Sequence, residues 1–121
     1  AEHQPMNIYF TLPSCVPATD METAGARLTA EDLRPFLNKE KIIALAEMMN
    51  FPGVIYRDPD VMAKISAARQ QKKPIDGHAP GLKGPQLYAY VSAGIQSDHE
   101  CTTEQEAREK LMAGMYIMIR Q

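Results

Sequence analysis

Ile42-Ile43-Ala44-Leu45-Ala46-Glu47, then Asp58-Pro59-Asp60-Val61-Met62-Ala63-Lys64-Ile65, then Pro74-Ile75-Asp76-Gly77-His78: these three strings follow one another in a single stretch of chain. The first and last are short apolar runs with β-branched content, and they read as strands over Ile42 to Ala46 and Pro74 to Gly77. In the middle string Asp58 is an N-cap residue set before Pro59 at the first helical position. Val61, Met62, Ile65 and Ala68 then recur on one helical face. A strand followed by a helix and another strand pairs in parallel, because the chain must cross a sheet face before it can run the same way again. The fold class is therefore α/β.

Outward from this unit the alternation continues. Upstream lie a strand over Asn7 to Leu12 and a helix headed by Thr29, with Leu33, Phe36 and Leu37 as its stripe. Downstream, Gly84-Pro85 opens a helix carrying Leu87, Tyr88 and Val91, and a strand covers Gly94 to Asp98. The capping box Thr103-x-x-Glu106 then opens a helix with Ala107, Leu111 and Met112, and a last strand covers Met115 to Ile119. About five parallel strands alternating with four helices are expected, in one segment spanning residues 1–121, with strands apolar enough to be covered on both faces. A small doubly wound sheet would meet that description, but no Gly-rich phosphate loop follows the first strand. Reactive residue types gather instead at successive strand ends, which favours part of a (β/α)8 TIM-type barrel. Ile8 to Thr11 and Met115 to Ile119 would then be open sheet edges, inviting homo-oligomers or other edge-to-edge association.

Composition narrows the function. With 121 residues, 45% of them apolar, the chain can bury one modest core. Thirteen Lys and Arg against fifteen Asp and Glu, a net charge of −2, provide no positive field for nucleic acid or an anionic membrane. No apolar run approaches the length of a membrane span. Cys15 and Cys101 form no CxxC pair, which excludes a disulfide framework and a four-thiolate metal site and fits a reducing, cytoplasmic setting.

Three residues that close expected strands carry the chemistry: Glu47, His78 and His99. Taken singly each has an ordinary reading, as a solvated turn glutamate, a loop histidine between glycines, or a helix-capping histidine. Together, on consecutive strands of a curved parallel sheet, they converge above one point. A carboxylate with two imidazoles suits a divalent metal, Mn or Fe, with Zn as a further option, and a carboxylate can bridge two ions. Asp98 and Glu100 flank His99 and are candidates for catalytic proton transfer, or else acids at a helix start. Ser14 and Cys15 end the first strand on the same face and are candidate substrate contacts, although no base is assignable to activate either.

Four strings resemble the adenine deaminases of the amidohydrolase superfamily: Tyr9-Phe10-Thr11-Leu12-Pro13-Ser14-Cys15-Val16-Pro17, Leu45-Ala46-Glu47-Met48-Met49-Asn50-Phe51-Pro52-Gly53, Ile75-Asp76-Gly77-His78-Ala79-Pro80-Gly81-Leu82 and Ser97-Asp98-His99-Glu100-Cys101-Thr102-Thr103. Glu22-Thr23-Ala24-Gly25-Ala26 and Gly114 to Arg120 match as well. The resemblance implies hydrolytic deamination of adenine, a small purine, to hypoxanthine and ammonia in purine salvage, by a metal-dependent barrel. It implies that Glu47 bridges two divalent ions and that His78 and His99 match the ligands ending the fifth and sixth strands. The family's first-strand His-x-His pair and eighth-strand aspartate have no counterpart here. The expectation is an internal segment, strands three to seven, holding about half the ligands and inactive by itself. Another amidohydrolase acting on a different aminopurine or a cyclic amide, and a non-catalytic half-barrel module, are the competing readings.

Overall fold

The computed structural model describes residues 3–19 and 21–120. In chain order the elements are β1 (Phe10–Leu12), α1 (Ala30–Leu37), β2 (Ile42–Met48), α2 (Phe51–Ile55), α3 (Pro59–Gln70), β3 (Ile75–Gly77), α4 (Gly84–Ser92), β4 (Ser97–Asp98), α5 (Glu104–Met112) and β5 (Tyr116–Ile117). All the strand pairs are parallel, in the ladders β1-β2-β3 and β4-β5. The ladders are joined where Gln96 N–H donates to the Ile75 carbonyl at 3.0 Å. Strands that neighbour one another in sequence thus neighbour one another in space. Crossovers between such strands, right-handed as in nearly all parallel units, wind helices along one face, and α1 packs on α3 and α2 on α4, as in a barrel wall.

Local sequence explains most of the elements. Asp58 Oδ1 accepts from Val61 N–H at 2.9 Å ahead of Pro59, as its position suggests. Thr29 and Asp32 close a reciprocal capping box on α1. The expected box at Thr103 is only half made: Thr103 Oγ1 accepts from Glu106 N–H, while the Glu106 carboxylate turns to Gly81 N–H and Lys110. Charged and backbone partners there outcompete the local cap. α2 is not among the helices expected from the sequence. Proline is tolerated in a first helical turn, however, and Asn50 Oδ1 caps Gly53 N–H at 2.9 Å, so the described residues hold five helices rather than four.

The strands are also shorter than their apolar runs suggest, except β2, which continues past Ala46 through Glu47 to Met48. The helix-covered side holds the core, where Leu33 and Leu37 of α1 and Val61, Ile65 and Ala68 of α3 join Leu45, Met48, Ile75, Leu87, Tyr90 and Ile95. Burying each large aliphatic side chain there contributes about 1.5–3 kcal/mol. Coverage of both faces does not hold: Phe10 is 51% exposed, Ile43 45% and Ile119 93%. Apolar surface is thus left open on edge strand β1, on the outer part of central strand β2 and just beyond β5. Among the described residues no helix is long and apolar enough to cross a membrane.

Candidate metal centre

Parallel strands end together, so residues at their C-terminal ends meet without any special loop geometry. Glu47 lies in the last turn of pleat of β2, His78 directly after β3 and His99 directly after β4. The ends are pinned by side chains reaching between elements. Ser14 Oγ donates to the Glu47 carbonyl at 2.6 Å. The hydroxyl of fully buried Tyr90, on α4, donates to the Met48 carbonyl at 2.7 Å and accepts from His78 N–H at 3.1 Å. Burial pushes the Tyr90 phenol well above its ordinary value, so it remains a neutral donor.

The three side chains converge as expected from the sequence. Glu47 Oε2 lies 3.2 Å from His78 Nδ1, and Glu47 Oε1 lies 3.5 Å from His99 Nε2. The two rings meet edge to face with centroids 5.4 Å apart. One ligand atom from each of the three residues falls within 4.8 Å of the other two. His78 Nδ1 is buried yet makes no hydrogen bond, although Glu47 Oε2 is close; the contact has the distance of a bond without its direction. A buried ring nitrogen without a hydrogen-bond partner costs free energy in water-free surroundings, and a cation held between it and the carboxylate would remove that cost. Two imidazoles and a carboxylate are the donor set for a divalent transition metal, so the residues present fit the group.

Glu100 joins them: its Oε1 lies 3.7 Å from His78 Nδ1 and 3.6 Å from His99 Nε2, and the Arg120 guanidinium pairs with it. Asp76, which the sequence reading passed over, sits 3.8 Å from His99 Nδ1 through its Oδ2 and accepts from Ser97 Oγ through its Oδ1. Its spacing of two residues from His78 was the available signal, because alternate strand residues share a face. His99 therefore turns Nε2 towards Glu47 and keeps Nδ1 near a second carboxylate, as metal-ligand histidines do.

Three expected site residues fall elsewhere. Asp98, a candidate for proton transfer, is fully buried on the other side of the strand and shares the buried ammonium of Lys110 at 2.9 Å. It also accepts from Ala79 N–H at 2.8 Å. Burial alone would raise the Asp98 carboxyl, but Lys110 and Ala79 N–H hold it below the ordinary range. Ser14 and Cys15, candidates for touching substrate, are both buried, with the Cys15 thiol packed towards Met48 Sδ. Their side chains fix β2 from within. Asp98, Cys101 and Glu106 also approach one another, but the Lys110 ammonium already occupies their centre. Burial and the hydrogen bond to Asp98 push the Cys101 thiol up to about 11, so at neutral pH it keeps its proton.

The chain's likeness to known proteins agrees with this geometry. The model of the amidohydrolase family matches residues 1–120. The chain is 63% identical over 121 residues to a protein named adenine deaminase from Desulfatibacillum aliphaticivorans, a match covering 100% of this chain and 21% of that protein. It is 55% identical over 117 residues to one of the same name from Methanothermobacter thermautotrophicus, covering 97% of this chain and 22% of that one. A protein named adenine deaminase 2 from Carboxydothermus hydrogenoformans is 51% identical over 117 residues, with 97% and 20% covered. The chain spans about a fifth of the length of these curated relatives. A match that runs through every strand and through the segments of Glu47, His78 and His99 leads to one conclusion: this chain belongs to the amidohydrolase family.

Proposed function

We propose that this chain is an internal segment of an adenine deaminase, strands three to seven of a (β/α)8 barrel, in which Glu47, His78 and His99 are divalent-metal ligands. The observation that carries the reading is the buried, unbonded His78 Nδ1 beside Glu47 Oε2, with His99 Nε2 on the other carboxylate oxygen. Each Glu47 oxygen faces a different histidine, and these three residues would hold one or two divalent ions, Mn or Fe before Zn. A metal in such a site supplies a nucleophilic water near neutral pH. Glu100, paired with Arg120 and facing both rings, would accept a proton from the nucleophile and return it to the exocyclic amine. The new bond is C6–O, the broken one is C6–N, and hypoxanthine and ammonia leave in a purine-salvage reaction. Segments outside this chain provide the remaining ligands, so the segment alone turns over no adenine, and its apolar edges at Phe10 and Ile119 are association surfaces.

The test is made on the full-length enzyme carrying this segment. Glu47→Ala is expected to lose metal and to lower ammonia release from adenine by at least about a hundredfold, with the protein still folded. Full metal content and full activity in that variant would overturn the assignment. Comparing ammonia release from adenine, other aminopurines and cyclic amides checks the substrate, because a polar site rejects analogues that leave its groups unpaired.

A further inference from the structure

We infer that the buried Lys110–Asp98 pair is a positioning device that fixes the separation of the two metal-ligand histidines. This inference rests on the metal-site reading above. Lys110 Nζ, fully buried on α5, donates to the Ala79 carbonyl at 2.7 Å and to Asp98 Oδ2 at 2.9 Å. Ala79 follows His78 in the chain, and Asp98 precedes His99. One ammonium therefore grips the neighbour of each histidine. Asp98 Oδ1 closes the circuit by accepting from Ala79 N–H at 2.8 Å, and Asp98 Oδ2 accepts from Glu100 N–H at 3.2 Å. The third donor direction of the ammonium is taken by Glu106 Oε1 at 2.7 Å, which also accepts from Gly81 N–H at 2.8 Å, three residues beyond His78.

Stability alone is a weak account of such an arrangement. A buried ion pair is at best weakly stabilising against an apolar replacement, because desolvation offsets most of its attraction. What it does provide is direction: three donors and two carboxylates fix angles as well as distances, and among the described residues no ladder extends the single Gln96–Ile75 bond between β3 and β4 to do that work. The His78 loop is thus tied to the His99 loop through α5. Metal ligands held by such outer contacts bind tightly, and loss of a supporting contact typically costs about 10–100-fold in affinity.

The experiment uses the full-length enzyme and titrates Mn(II) into metal-free protein, with the visible spectrum of the Co(II)-loaded protein as a second readout. Asp98→Asn keeps an acceptor for Ala79 N–H and removes the charge. The pair Asp98→Asn with Lys110→Met removes the two fully buried charges, while the Glu106 carboxylate keeps Gly81 N–H and Thr102 N–H as donors, so folding survives. Both proteins are expected to bind Mn(II) about 10–100-fold more weakly and to show a shifted Co(II) spectrum, with melting temperatures of the metal-free forms near wild type for the double variant. A purely structural pair would leave the Co(II) spectrum and the Mn(II) affinity of the folded double variant unchanged, and that result overturns the inference. Glu47→Ala runs beside them. If the unmodified enzyme and Glu47→Ala bind metal alike, the metal-site reading has failed; if Glu47→Ala alone loses metal, only the positioning role has.

Discussion

Replacing Tyr90 by Phe removes one oxygen atom and leaves the ring in the core, which makes the cost calculable. That oxygen donates to the Met48 carbonyl at 2.7 Å and accepts from His78 N–H at 3.1 Å, and Tyr90 is fully buried. Tyr90→Phe leaves both backbone groups without a partner. A buried polar group left unpaired costs about 1–3 kcal/mol, so the two together cost about 2–4 kcal/mol once partial relaxation is allowed. The consequence is local before it is global, because the bonds lost are those holding the end of β2 against the start of the His78 loop. Hydrogen exchange of the full-length enzyme, followed by mass spectrometry on peptides spanning 75–82, is the direct assay. Each 1.4 kcal/mol corresponds to about tenfold in opening equilibrium, so the His78 amide is expected to exchange at least about tenfold faster, with metal affinity falling in parallel. Exchange at His78 within a factor of two of wild type would refute the reasoning, since it would mean that the hydroxyl bears no part in holding the strand ends together.

Two further outcomes are expected. Burial raises the Asp60 carboxyl, but Ala30 N–H at 2.9 Å and Lys64 Nζ at 2.9 Å more than offset this and hold it below its ordinary value of 3.8. Its contribution is therefore complete above the unfolded value and drains away as pH falls through the lowered folded one. Urea midpoints between pH 7 and 3 should fall less steeply for Asp60→Asn, which at pH 7 loses about 1 kcal/mol. Gly77→Ala would drive a methyl into the Ser97 carbonyl and to 2.7 Å from Ile95 Cγ2, on backbone that cannot retreat. Soluble yield and melting temperature should both collapse, with a loss above about 3 kcal/mol; a well-folded variant would show that β3 and β4 are less closely apposed than described.

The sequence was most informative where one short signal settles one element. Asp58-Pro59 starts α3 because an aspartate cap and a fixed proline φ act within one turn. Glu47, His78 and His99 were legible because parallel strands terminate side by side whatever their loops do. Alternation also held for Asp98, inside β4, which faces away from His99; it failed for Glu100, beyond the strand end, which faces both rings. Ser14 and Cys15 were placed correctly in the chain but not in direction, since only the packing of β2 decides that they point inward. Lys64 and Lys110 were invisible. A lysine is usually exposed, and burying one depends on partners elsewhere in the chain, such as Asp98 and Ala79 for Lys110.

The gap between the two ladders has one more implication. Within β1-β2-β3 and within β4-β5 the strands are stitched by peptide groups, which almost any amino acid supplies. Across the boundary, Gln96 N–H to Ile75 is joined by contacts that belong to particular side chains: Ser97 with Asp76, Asp98 with Ala79, Lys110 with both loops. Glu47 and His78 stand on one bank of this seam, His99 and Glu100 on the other. Substitutions there can loosen or tighten the site while the wall on either side keeps its shape, so the grip on a ligand can drift in evolution without the architecture drifting with it.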